Sequence, residues 1–209
     1  MKGSILVLAP HIDDGEFGCG GSIAKFIEEG ADVFYAAFSV CELSLPSHLP
    51  KDILERELQE AAGVLGLSNE NLRIFRYGVR TFASVRQKIL DDLISLRREI
   101  KPDLILMPSP QDIHQDHRTI ALEAIRAFKL ISILGYELPW NNLAFNTQSF
   151  VFLKEQHLQK KIAALKCYQS QAHRMYANES FIRSLAITRG TQIGAELAEA
   201  FEVVRWIIQ

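Results

Sequence analysis

The 209-residue chain has no surplus of basic charge: 23 Lys and Arg stand against 25 Asp and Glu, and no basic run exceeds a pair such as Arg97-Arg98. Nucleic acid and anionic membrane surfaces are therefore excluded as expected partners, since binders of either carry a larger basic excess. Cysteine is sparse. Cys19, Cys41 and Cys167 are odd in number, widely spaced and without a CxxC pair, which excludes a disulfide scaffold and a structural zinc knuckle and fits a reducing, cytoplasmic setting. No apolar run approaches the roughly 18 residues of a membrane-spanning helix. The apolar stretch that follows Met1-Lys2-Gly3-Ser4 ends at Pro10 with no cleavage pattern of a signal peptide. Gly (12) and Pro (7) stay at ordinary levels beside 48% hydrophobic residues, which excludes disorder and low complexity. Two catalytic signatures are also missing, the G-x-S-x-G elbow and the G-x-x-x-x-G-K-[ST] loop, so serine hydrolase and P-loop readings drop out. Gly18 and Gly20 begin a G-x-G-x-x-G pattern, but its third position is Ile23. The dinucleotide fingerprint fails, and the glycines are expected to serve a tight turn and close helix packing.

What is present is alternation. Short continuous apolar runs at 5–8, 33–38, 72–77 and 104–107 read as strands buried on both faces. Between them, amphipathic periods over 22–29, 51–65 and 85–100 read as helices, the first two closed by Gly30 and Gly66 and the third followed by Pro102. Further on, a helix from 119 to about 130 precedes a mixed segment at 133–139 and an Asn-rich loop. A strand at 149–153, a helix at 155–168, another helix-like stretch and a strand at 202–208 complete the chain. This order predicts a mostly parallel α/β sheet in a Rossmann-like three-layer sandwich, with residues 1–209 as a single domain.

Ligands of such sheets bind beyond the carboxyl ends of the strands, and two loops there carry unusual chemistry. The first reads Ala9-Pro10-His11-Ile12-Asp13-Asp14-Gly15-Glu16, and the second runs from Pro108 through Asp112, His114, Gln115, Asp116 and His117 to Arg118. Imidazole and carboxylate are the ligands of a catalytic zinc, which takes three protein ligands and keeps a position open. His11 and Asp14 can converge across a tight turn, and His117 can close the site from the second loop. Asp13 then remains free as general base for an activated water. His114 is placed to stabilise an oxyanion or protonate a leaving amine, with Asp116 as its candidate orienting partner. Each piece alone has an ordinary reading, an Asp-Asp pair as a helix N-cap and a loop histidine as a surface residue. Their coincidence at two neighbouring strand ends outweighs it. His48, His157 and His173 lack ligand-type neighbours, and Cys19 lacks a base, so all four read as structural.

Pro10-His11-Ile12-Asp13-Asp14 resembles the [A/P]-H-P-D-D motif, and His114-Gln115-Asp116-His117 the H-P-D-H motif, of the LmbE-like or PIG-L family of zinc-dependent N-acetylglucosamine deacetylases. Glu57-Leu58, Ala61-Ala62, Leu65-Gly66, Lys161, Ser170-Gln171 and the run Ala198-Glu199-Ala200-Phe201-Glu202 look like further segments of it. The resemblance implies His11, Asp14 and His117 as zinc ligands, with ferrous iron as an alternative ion. It also implies Asp13 as base, His114 at the transition state, and an N-acetyl sugar or conjugate as substrate. Ile12 and Gln115 replace the usual prolines, and Ser39-Val40-Cys41-Glu42 departs from the usual Thr- and Gly-rich turn. Glu42 is a candidate for a sugar hydroxyl, and Arg56, Arg189 and Trp140-Asn141-Asn142 for an anionic or polar aglycone. Family members are often oligomeric, so a homo-oligomer is a further expectation. Two rival readings are a zinc amidase for a non-sugar amide and a sugar-binding module without turnover.

Overall fold

Along β1 (Ser4–His11) successive side chains turn to opposite faces. Ile5, Val7 and Ala9 enter one hydrophobic core, while Leu6 and Leu8 enter the other. Helices on both faces impose this double burial, and it explains why the strand reads as an unbroken apolar run. The computed structural model describes residues 3–42, 50, 52–171 and 174–208, so His48 and His173 lie outside the described residues. The remaining elements are α1 (Asp14–Glu28), β2 (Asp32–Ser39), α2 (Ile53–Leu65), β3 (Leu72–Ile74), α3 (Arg86–Ile100), β4 (Leu104–Pro108), α4 (Gln115–Ala127), β5 (Ser132–Tyr136), β6 (Ser149–Phe152), α5 (Glu155–Lys166), α6 (Glu179–Thr191) and β7 (Ala198–Arg205). Helices α1, α2, α5 and α6 cover the first core, contributing Ile23, Leu58, Ile162 and Ile182, and α3 and α4 cover the second with Leu93 and Ile120.

The strand order is β3-β2-β1-β4-β5-β7-β6. Pairing is parallel from β3 to β5, and β7 runs antiparallel to both β5 and β6. The mostly parallel three-layer α/β sandwich expected from the alternation is thus the observed one. From β1 the chain winds outward to β3 and then returns to place β4 on the other side of β1. The loops after β1 and β4 therefore diverge at a topological switch point, which opens a crevice between them.

Three of the boundaries that differ from the sequence reading bear on the site. Helix α1 begins at Asp14 rather than at 22, so the glycine-rich stretch is helical. A Cβ on Gly18 would lie 2.2 Å from the Tyr136 ring, and one on Gly15 would lie 2.5 Å from Tyr35; close approach to the sheet overrides glycine's poor helix propensity. The helix breaks at Cys19 (φ −147°, ψ 24°). Past this break the amides of Gly21 (3.0 Å) and Ser22 (2.6 Å) donate to the carboxylate of Glu199, which also takes Lys161 Nζ at 2.6 Å. A carboxylate from β7 thus caps the second half of α1. Strand β7 spans Ala198–Arg205 rather than 202–208 because its buried Glu199 and Glu202 look like surface residues in sequence yet are bonded inside, Glu202 by Ser109 Oγ and the Asn146 amide. Helix α4 starts at Gln115 rather than 119, which puts His117 in its first turn.

Candidate active site

His11 closes β1, Asp14 opens α1, and His117 stands in the first turn of α4. Their ligating atoms meet at the switch point. His11 Nδ1 lies 3.1 Å from Asp14 Oδ2 and 3.1 Å from His117 Nε2, and His117 Nε2 lies 3.1 Å from Asp14 Oδ2. Bonds of about 2.0–2.1 Å in a tetrahedron require donors about 3.3 Å apart, so the triangle has the dimensions of a zinc-type ligand set. The ring nitrogens of His11, His114 and His117 also fall within 4.8 Å of one another, a group that could hold a metal ion.

The second nitrogens of the two rings are tied down. His11 Nε2 bonds Asp116 Oδ2 at 3.1 Å, and His117 Nδ1 bonds Asp112 Oδ2 at 2.7 Å. With a proton on each of those outer nitrogens, neutral rings turn their lone pairs inward toward each other and toward Asp14. A proton or a metal cation between them relieves such an arrangement. Burial lowers the proton affinity of His11, but the Asp14 carboxylate and the bonds to Asp116 and Asp14 outweigh it and push its pKa up to about 9; His117, held by Asp14 and Asp112 against the same burial, is pushed up to about 10. Burial would raise Asp14, yet the two imidazoles hold it well below the usual carboxylate range. The donor set is built for positive charge.

Asp13 occupies the N-cap position of α1 but makes no side-chain cap bond, so the ordinary cap reading does not describe it. Its buried carboxylate meets Arg174 Nη1 at 3.5 Å; burial, then Asp14, raises its pKa, while Arg174 and His11 oppose the rise. His114 is the N-cap of α4, its Nδ1 accepting the Asp116 amide at 3.2 Å. In the neutral ring the proton then sits on Nε2, which is left as a donor. Burial, followed by His117 and His11, lowers the pKa of His114 and favours that neutral form. The expected pairing of the Asp116 carboxylate with His114 is therefore corrected. That carboxylate turns to His11 and is locked by the amides of Arg80 (2.6 Å) and Phe82 (3.2 Å), because the loop after β3 reaches it there.

The turn carrying His11 to Asp14 is braced from below. Tyr35 Oη (3.1 Å) and Tyr168 Oη (2.7 Å) both contact the Ile12 carbonyl, and both also contact the Glu16 carboxyl, Tyr168 at 2.7 Å. Two phenol protons cannot serve four oxygen–oxygen contacts, and a proton on Glu16 would fill one of the two left over. Burial pushes the Glu16 carboxyl up to about 8, the tyrosine hydrogen bonds opposing only in part. Between about pH 4.3 and pH 8 the folded state holds a proton that the unfolded chain has lost. The contribution of Glu16 to stability should therefore fall across this window by up to about 1.4 kcal/mol per pH unit and level off above it. Glu16→Gln mimics the protonated acid and should remove this slope. Urea midpoints of chelator-treated wild type and variant at pH 5 and pH 8.5 check it; equal slopes in the two proteins would refute the assignment.

His11, Asp13, Asp14, His114 and His117 line a cleft of about 350 Å³ with Cys41, Trp140, Asn141, Arg174 and Tyr176 among its walls. The structure thus brings together His11, Asp13, Asp14, His114 and His117. It does not bring Arg56, which pairs with Asp52 on the surface, or Arg189, which is spent on Glu137. Glu42 pairs with Arg76 in a neighbouring hollow that shares Cys41 and Val79 with the cleft. His157 is structural: its Nδ1 accepts the Lys154 amide at 3.1 Å and its Nε2 meets Glu28. Cys19 is fully buried at the α1 break, and burial raises its thiol pKa. The sequence reading missed Asp112 and Arg174. The need of a ligating histidine for an acceptor on its second nitrogen is the signal that would find Asp112; Arg174 belongs to no linear motif.

Among curated proteins, an uncharacterized deacetylase of Escherichia coli, YaiS, is 31% identical over 179 residues, which cover 79% of this chain and 90% of that protein. The N,N'-diacetylchitobiose deacetylase of Pyrococcus horikoshii superposes with a TM-score of 0.79 at 23% identity, over 96% of this chain and 83% of that one. The 4-carboxy-2-hydroxymuconate hydratase of Pseudomonas putida reaches 0.81 at 22% identity, over 100% and 98%, so the fold itself also carries chemistry other than deacetylation. The family model described as GlcNAc-PI de-N-acetylase matches residues 6–128. By that match, which spans both histidine loops, the chain belongs to the PIG-L family of de-N-acetylases.

Proposed function

We propose that the protein is a metal-dependent hydrolase that removes the acetyl group from an N-acetylglucosamine-type sugar or its conjugate. The observation that carries the reading is the 3.1 Å triangle of His11, Asp14 and His117 beside an Asp13 that caps nothing. Those three residues would hold the ion, zinc in this reading and ferrous iron as the alternative. Bound there, it supplies Lewis acidity that makes a water acidic and an amide carbonyl electrophilic. The chain's own residues do the rest. Asp13 accepts the proton of the attacking water. His114 presents its Nε2 proton to the carbonyl oxygen as negative charge develops there. Asp13, then protonated, is the nearby acid for the departing nitrogen, so that acetate and a free amine leave. Asp112 and Asp116 hold the two histidine rings in the ligating tautomer throughout.

No helix among the described residues is long and apolar enough to cross a membrane. The three cysteines are free thiols, which suits the reducing cytoplasm in which we place the protein, acting on a small molecule.

The test is acetate release from a set of N-acetylglucosamine glycosides by chelator-treated protein before and after addition of zinc or ferrous ion. Activity that appears in step with about one bound ion per chain is expected. A fully loaded protein that hydrolyses none of them, yet cleaves simple N-acetyl amides, would move the function to a non-sugar amidase. Loading without hydrolysis of either class would leave a binding module.

A further inference from the structure

An N-acetyl group is neutral, and its hydrolysis calls on a cation in the cleft wall only to offset the charge of the buried Asp13, which Arg174 meets through Nη1 alone. Among the described residues lining the cleft, Arg174 is nonetheless a lysine-or-arginine position, and no other is found there. Its setting is unlike that of the arginines nearby. Arg189 spends its Nε and Nη2 on Glu137, and Arg76 divides its two terminal nitrogens between Glu42 and Glu55. Both contacts of Arg174, to Tyr176 Oη at 2.6 Å and to Asp13 Oδ2 at 3.5 Å, use Nη1 alone. Among the described residues no acceptor reaches its Nε–Nη2 edge. That edge is the planar fork that takes two oxygens of a carboxylate or phosphate at once.

The guanidinium is also held rather than free to swing. It lies 5.7 Å from the centroid of the Tyr176 ring. Tyr176 in turn stacks on Trp140 at 3.8 Å with the planes 8° apart, and it meets Phe17 edge-on at 5.3 Å. The side chain retains 35% of its exposure, enough to be reached from the cleft. A preorganised, partly desolvated arginine with an unspent fork, beside the proposed base, is a binding group for an anion that arrives with the substrate.

Resting on the deacetylase reading of the same cleft, we propose that the substrate carries an oxyanion group, carboxylate or phosphate, on the aglycone side of its N-acetyl sugar, and that the Nε–Nη2 edge of Arg174 binds it. Arg174 is then a specificity-determining residue. The ratio of affinities for charged and neutral ligands isolates this role, because a general disturbance of Asp13 or of the loop changes both alike.

The experiment uses the metal-loaded full chain and the amine products, which cannot turn over: carboxymethyl glucosaminide, glucosamine 1-phosphate and methyl glucosaminide, with binding read by calorimetry. Wild type should bind one of the two anionic compounds about tenfold or more tighter than the methyl glycoside, the size of a charge-assisted pair. Which of the two is preferred tells carboxylate from phosphate. In Arg174→Ala the ratio should fall to within about twofold, and Arg174→Lys, with charge but no fork, should lie between. A wild-type ratio near one, no measurable binding of either anion, or a preference that survives Arg174→Ala would each overturn the proposal. Acetate release from the matching N-acetyl glycosides is followed separately. Its absence beside an intact, Arg174-dependent preference would sink the deacetylase reading and leave the anion site standing.

Discussion

Asp13→Asn should load about one metal ion per chain, like the wild type, and lose about a thousandfold in turnover of an N-acetylglucosamine glycoside, the usual range for removing a general base. The expectation follows from what Asp13 does not do. It stands at the N-cap of α1 without capping it, while the neighbouring Asp14 accepts the His11 amide at 2.8 Å and sits in the ligand triangle. In the proposed reading, adjacent and chemically identical side chains have separate work, Asp14 to ligate and Asp13, beside Arg174, to take a proton. Asparagine keeps the shape and removes the basicity. Because Asp13 is absent from the triangle, metal content should not change. Metal analysis beside steady-state kinetics decides the matter: activity within about tenfold of wild type would remove Asp13 from the base role, and loss of the ion would make it a ligand.

His11→Ala should abolish metal retention and, with it, all turnover. A three-residue donor set reduced to two holds an ion too weakly to survive purification. Asp112→Ala and Asp116→Ala should behave differently, lowering affinity by about 10–100-fold while leaving full stoichiometry at saturating metal. The distinction lies in position. Asp112 touches His117 Nδ1 and Asp116 touches His11 Nε2, both on the outer side of the rings. Removing either frees a tautomer and a ring rotation without deleting a ligand. His114→Ala completes the series: it should keep the ion and lose turnover, since the His114 Nδ1 is already taken by the Asp116 amide. Competition with a chromophoric chelator ranks the four variants. Full retention by His11→Ala, or loss by His114→Ala, would redraw the ligand set around the three-histidine group.

The two histidine loops were legible because their residue types are rare in such density and because the strands ahead of them are unmistakable apolar runs. Position along a strand dictates which loops share an edge of the sheet, so His11 and His117, 106 residues apart, could be paired before any coordinate. Partners on the outer side of the rings were not legible in the same way. Asp112 and Asp116 flank His114 symmetrically in sequence, and helix capping settles which of them serves which ring: once His114 caps α4, the Asp116 backbone is committed to it and the carboxylate is free to turn toward β1. The early start of α1 was hidden for a related reason. Local propensity speaks against a helix through Gly15, Gly18, Gly20 and Gly21, and the side chains that demand those glycines come from distant segments, Tyr35 from β2, Tyr136 from β5, Lys161 from α5 and Leu153 from beyond β6.

From sequence alone, then, came the alternation of buried strands and amphipathic helices, the parallel sheet it implies, and the set of side chains fit to hold a cation and move a proton. Each of these depends on periodicity or on chemistry carried by a short segment. Tertiary structure decided the rest: the 3.1 Å convergence of three donors, the outer partners of both histidines, the burial of Glu16 between two tyrosines, and the arrival of Arg174 beside Asp13. Those depend on distances between segments far apart in the chain. A burial that excludes water and a neighbour that supplies charge arise only when the layers close, and one-dimensional pattern carries neither.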